Sequence, residues 1–159
     1  HLLAQFRMRQ QDVPLVSAEC ITLNSDWRSK EEVLKGMTDN LLLAGRCRYP
    51  RKLEADLWAR EAVFSTGLGF SFAIPHSKSE HIEQSTISVA RLAQPVIWGD
   101  EEAQFVIMLT LNKHSAGDQH MRIFSRLARR IMHAEFRQSL VSAESSEDIA
   151  DLLRRELEL

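Results

Sequence analysis

Cysteine is scarce in this sequence: Cys20 and Cys47 are the two in 159 residues. They are too few for a disulfide framework and stand in no Cys-x-x-Cys metal spacing. Both are expected to be structural thiols in a reducing, cytoplasmic compartment. An excess of one charge is missing as well, since 20 Lys and Arg stand against 22 Asp and Glu for a net charge of −2. No basic field therefore points to nucleic acid or an anionic membrane. Long apolar runs are also lacking. Phe105 to Leu109, with Ala103 and Leu111 around it, is far too short to insert across a bilayer. Phe6, Arg7, Met8 and Arg9 break any signal-peptide core, and no internal repeat or low-complexity segment occurs.

What is present is the composition of a soluble globular chain, 44% hydrophobic and 26% charged. The length suits one domain with a proper core. The chain opens on His1 rather than methionine, as a truncated chain, a tag remnant or a piece of a longer protein would. Residues 1–16 carry no hydrophobic period and are expected to be a leader or linker ahead of one domain over 17–159.

Periodicity places the elements. Ile21-Thr22-Leu23 reads as a short strand. Ser29 and Glu32 stand at capping-box spacing ahead of Val33, Met37, Leu41 and Leu42, which recur as one helix face. Gly45 is a helix stop, and Pro50 suits the first turn of a second helix. That helix carries Leu53, Leu57, Arg60 and Phe64 on one stripe. Thr66 to Gly69 breaks the pattern; Phe70 to Ile74 then reads as a strand closed by Pro75. Thr86 to Leu92 is a further strand, and Ala103 to Leu111 one covered on both faces. Asp118 is the expected N-cap of a helix bearing Met121, Phe124, Leu127, Ala128 and Ile131. Two helical stretches follow, the last capped by Ser145 or Ser146. The fold class is α/β, a single mixed β-sheet flanked by helices.

Three residues in this frame are suited to chemistry. His76 follows the expected strand end at Pro75, where functional groups of open α/β sheets gather. Its imidazole, largely neutral at pH 7, can act as a nucleophile. Arg60 leans toward an apolar stripe, so its guanidinium must snorkel, pair with an acid such as Asp56, or enter a polar site. His120 lies just inside the helix begun at Asp118, where free N–H groups favour an anion and disfavour a protonated imidazole. Four histidines between 76 and 120 show no i,i+4 pairing, so no metal site is expected. The Gly67/Gly69 pair precedes a strand instead of opening a helix and is no dinucleotide fingerprint. Arg122, Arg126, Arg129 and Arg130 share a face opposite the apolar stripe, either solvated or a docking surface.

These residues stand in a recognisable order. Arg60-Glu61, Ser65-Thr66-Gly67, Gly69 and Ala73-Ile74-Pro75-His76 resemble the fructose/mannitol class of enzyme IIA in the bacterial sugar phosphotransferase system. Ser88-Val89-Ala90-Arg91-Leu92, Pro95, Trp98, Phe105 to Leu109, His120 and Ser125-Arg126-Leu127-Ala128 continue the likeness. It spans roughly residues 17 to 157. Within that family the chain looks most like the C-terminal enzyme IIA segment of multiphosphoryl transfer proteins, which carry several phosphotransferase modules.

The resemblance implies a phosphocarrier that accepts phosphate from phospho-HPr on His76 and passes it to a cysteine of enzyme IIB. A membrane sugar permease is then served indirectly. His120 would orient, Arg60 would hold equatorial oxygens, and Thr66 and Ser77 would support the phosphate. No metal or cofactor is implied. The residue after the family's active histidine is commonly glycine; Ser77 and Lys78 stand here instead, and Lys78 adds a positive charge. The alternative is a regulatory phosphoprotein whose phosphorylation state controls a partner. Phe70 and Phe72 are expected at an apolar docking rim.

Overall fold

The computed structural model describes residues 13–115 and 117–159. Ser29 caps α1 (Lys30–Leu43), its hydroxyl accepting from the Glu32 N–H at 3.1 Å. The Glu32 carboxylate reaches the Arg28 N–H at 2.6 Å, one residue beyond the reciprocal bond of a full capping box. Gly45 ends the helix region at φ 73°, a backbone that glycine adopts without a Cβ clash. Pro50 opens α2 (Pro50–Val63), where a missing N–H leaves no helical bond unmade.

One mixed sheet is built from β1 (Ile21–Ser25), β2 (Gly67–Gly69), β3 (Phe72–Ala73), β4 (His76–Ser79), β5 (Thr86–Trp98) and β6 (Glu101–Asn112). The order is β1-β5-β6-β3-β2, with β4 also paired to β6. β5 and β6 are antiparallel; β1 runs parallel to β5, and β3 and β4 run parallel to β6. Along β6, Phe72 lies opposite Phe105 and His76 opposite Leu109. β3 and β4 are thus two pieces of one line, parted at Pro75, which has no N–H to donate. The Pro75 carbonyl still accepts from Leu109 N–H at 3.0 Å.

Strand alternation sorts β6 between two cores. Phe105, Ile107 and Leu109 pack with α3 (Asp118–Ile131), α4 (Ala134–Ser142) and α5 (Ser146–Leu157). Val106 and Met108 pack with α1 and α2. Ser145 caps α5 through the Asp148 N–H at 3.1 Å. α3 starts differently from expectation: Gly117 occupies the N-cap and Asp118 is the first helical residue, with no side-chain cap bond.

Three further expectations are adjusted. The strand read at Phe70 to Ile74 begins only at Phe72, because Phe70 and Ser71 turn with φ of 58° and 64° and join β2 to β3. Phe72 is buried and stacks on Phe105 with centroids 4.9 Å apart, so it cannot line a docking rim. Phe70 is exposed, with the Arg137 guanidinium over its ring at 3.8 Å. Residues 1–12 of the segment read as a linker lie outside the described residues; its end is built into the body, where Val16 is buried and Leu15 O accepts from Ile87 N–H at 2.8 Å.

Candidate functional site

His76 is the first residue of β4, immediately past the proline that interrupts the line of strands. Its Nδ1 lies 2.7 Å from the carbonyl oxygen of Ile74. A carbonyl can only accept, so Nδ1 carries the hydrogen and Nε2 keeps the lone pair. The ring packs against Phe124 of α3, centroids 4.6 Å apart and planes at 56°. Burial holds the His76 pKa below the usual imidazole value. The Ile74 carbonyl and the Glu61 carboxylate pull it up, and the Arg60 charge pushes it further down.

His120 stands one turn before Phe124 on α3, and residues four apart share a helix face. Since Phe124 lies on the His76 ring, that face brings His120 toward the same corner. Lys78, two residues beyond His76 and so on the same side of the strand, charges this corner. Burial first, then the Lys78 ammonium, lower the His120 pKa. Its Nδ1 is buried with no hydrogen-bond partner among the described residues, a state that costs free energy unless a ligand or water satisfies it. The N-terminus of α3, without a side-chain cap, supplies free N–H groups beside it.

Arg60 is half-buried in the last turn of α2, where Nη1 donates to Phe64 O at 2.8 Å. It makes no ion pair among the described residues. The Asp56 carboxylate accepts instead from Ser79 Oγ at 2.5 Å, tying the helix of Arg60 to the strand of His76. The inner stripe of α2 runs Leu53, Leu57, Glu61, and Phe64 is exposed beyond the helix end.

Thr66 and Ser77 are placed apart from this corner. Thr66 is buried; its hydroxyl donates to Glu61 Oε1 and accepts from Trp98 Nε1 at 3.1 Å. Ser77 falls on the opposite face of β4 by alternation, and its hydroxyl makes only a 3.3 Å contact with the Lys78 carbonyl. Three residues near the site were not singled out from sequence. Phe124 reads as an ordinary member of an apolar stripe. Glu61 enters the sequence reading only beside Arg60 in the motif and Lys30 not at all, because nothing in the sequence pairs residues 31 positions apart.

Comparison with known proteins identifies the family. The family model for the phosphoenolpyruvate-dependent sugar phosphotransferase system, EIIA 2, matches residues 14–156. Multiphosphoryl transfer protein 2 of Escherichia coli (strain K12) is 87% identical over 159 residues, all of this chain and 19% of that protein. The chain thus spans about a fifth of the length of such relatives. The nitrogen regulatory protein IIA-Ntr from Neisseria meningitidis shares the fold at a TM-score of 0.78, with 24% identity, covering 92% of this chain and 99% of that one. The complex of enzyme IIAMTL with phosphorylated enzyme IIBMTL from Escherichia coli matches at a TM-score of 0.71, with 21% identity over 87% of this chain and 96% of that one. With its family model matched over nearly the whole fold, this chain belongs to the EIIA 2 family of the phosphoenolpyruvate-dependent sugar phosphotransferase system.

Proposed function

We propose that this domain carries a phosphoryl group on Nε2 of His76, taking it from the phosphohistidine of HPr and giving it to a cysteine thiolate of an enzyme IIB. The observation that carries the reading is the Nδ1–H···O bond from His76 to Ile74 at 2.7 Å, which leaves the Nε2 lone pair as the ring's nucleophile. The P–N bond of the donor breaks as P–Nε2 forms. In the second step P–Nε2 breaks as P–S forms on the acceptor. As the ring gains phosphorus it becomes more positive, and its bond to the Ile74 carbonyl strengthens.

Phosphoryl transfer needs in-line positioning and spreading of charge over three oxygens more than covalent help. Arg60 offers a planar fork of donors for two of those oxygens. Lys78 and the uncapped start of α3 add positive potential, and His120 orients the group. Thr66 contributes by fixing the loop after α2, and Ser77 by keeping the strand small beside the nucleophile. Sugar uptake through a membrane permease is the downstream consequence.

The test is phosphoryl transfer from phosphoenolpyruvate through enzyme I and HPr to the wild-type domain and to His76→Ala. An acid-labile, alkali-stable label on the wild type alone supports the reading, and a labelled His76→Ala protein puts the nucleophile elsewhere. Chasing the label with an enzyme IIB separates carrier from regulator: label that stays on His76 favours a regulatory phosphoprotein.

A further inference from the structure

Next to Arg60 in sequence lies a buried charge that its neighbours cancel. The Glu61 carboxylate is 2% exposed and the Lys30 ammonium, on the first residue of α1, sits 2.8 Å from its Oε2. Lys30 is held between two indoles, 5.4 Å from the Trp58 ring and 5.0 Å from the Trp98 ring, a geometry in which cation–π attraction replaces lost water. The same carboxylate accepts from Thr66 N–H at 3.2 Å and from the Thr66 hydroxyl, while Trp98 Nε1–H closes the ring of contacts on that hydroxyl. Every partner of Glu61 comes from α1 or from the loop after α2, and none is Arg60.

The consequence for the site is electrostatic. Around His76 stand Arg60 and Glu61 from α2, Lys78 on its own strand, and His120 and Phe124 from α3. Glu61 is the one anion in that set. Its neighbour in sequence is the guanidinium meant for a phosphoryl dianion, and burial strengthens any uncompensated charge. An unpaired carboxylate here would repel the incoming group and compete for Arg60.

We propose that Lys30 is a positioning residue for phosphoryl transfer: clamped between Trp58 and Trp98, it neutralises Glu61 and so leaves Arg60 free for the phosphoryl group. The role rests on the phosphocarrier reading. It is separable from that reading, because a wild-type domain that takes no phosphate fails before any variant is made. It assigns Lys30 no contact with the phosphate.

The experiment compares wild type, Lys30→Gln and Lys30→Gln/Glu61→Gln in transfer from phospho-HPr, with folding checked by NMR and the His76 ring titrated in each. Lys30→Gln is expected to lower kcat by about tenfold with KM moved by less than about threefold, and to shift the His76 titration upward. The double variant, which removes the carboxylate charge but keeps a hydrogen-bonding pair, should recover to within about threefold of wild type. A folded Lys30→Gln domain transferring at the wild-type rate overturns the proposal. So does a folded double variant as slow as the single one, since with the carboxylate charge gone nothing is left to compete for Arg60. If Lys30→Gln alone fails to fold, the folded double variant is compared with wild type, and a rate about tenfold or more below wild type overturns the proposal. Failure of both to fold makes the pair a brace and equally overturns a positioning role.

Discussion

The Nδ1 of His76 and the carbonyl oxygen of Ile74, two residues apart on either side of a proline, are joined by a 2.7 Å hydrogen bond. The bond fixes the tautomer and so predicts the position of the phosphate. Phosphorylation of domain carrying ¹⁵N-labelled histidine should perturb Nε2 of His76 and leave Nδ1 protonated. Coupling of phosphorus to Nδ1 would contradict the assignment.

The depressed pKa values of His76 and His120 carry a stability signature. Both owe their shift first to burial, so both bind a proton less readily folded than unfolded, where the value is about 6.5. The unfolded state therefore takes up more protons as pH falls below about 6.5, and folding weakens from there down through the folded values, with no contribution above. Urea midpoints at pH 7.5, 6.5 and 5.5 should fall on the acid side. That fall should shrink in the His76→Gln/His120→Gln variant; an identical pH profile in the variant would remove both histidines from the account.

Arg60 separates charge from shape. Arg60→Lys keeps the positive charge and loses the fork, so transfer should slow by about tenfold while thermal stability stays within about 0.5 kcal/mol, the usual range at partly exposed sites. Arg60→Ala should be slower again. A lysine variant transferring at the wild-type rate would mean that charge alone suffices.

Far from the site, Arg46 is a different kind of arginine. Its side chain is 4% exposed and donates to Pro14 O at 2.8 Å, Thr86 Oγ1 at 3.1 Å and Ser17 Oγ at 3.2 Å. Arg46→Ala should cost about 2 kcal/mol, since it removes a buried side chain together with its bonds to the buried Thr86 and the half-buried Ser17, and should speed hydrogen exchange at Ile87 N–H, whose partner is Leu15 O. Transfer by the folded fraction should be unchanged. Unaltered exchange at Ile87 would show that the entry segment is held by other contacts.

The helices were legible because their ends are written in local chemistry: Ser29, Gly45, Pro50 and Ser145 each act within four residues of themselves. The covered strand around Phe105 to Leu109 was equally plain from its unbroken apolar run. The turn at Phe70-Ser71 was not, because neither residue favours positive φ, and the pairing of β2 with β3 overrides local preference. At the candidate site, position alone left the roles of His76, His120 and Arg60 open, and the order of motifs that named the family singled them out. The Lys30–Glu61–Trp98 cluster was hidden, since it joins α1, α2 and β5 across distances that periodicity does not encode. Thr66 illustrates the same limit: the motif marks it, but only the fold shows that its hydroxyl is already engaged.

β4 pairs with β6 on one side alone, so His76, the proposed nucleophile, sits at a rim of the sheet. An open rim is also an invitation to a second sheet, which could zip onto its unpaired N–H and C=O groups. The rim here offers little to zip onto. It is four residues long, is entered through Pro75, and projects the exposed Lys78, whose charge disfavours strand-to-strand stacking. The features that leave this edge open at His76 thus also discourage the domain from aggregating through it.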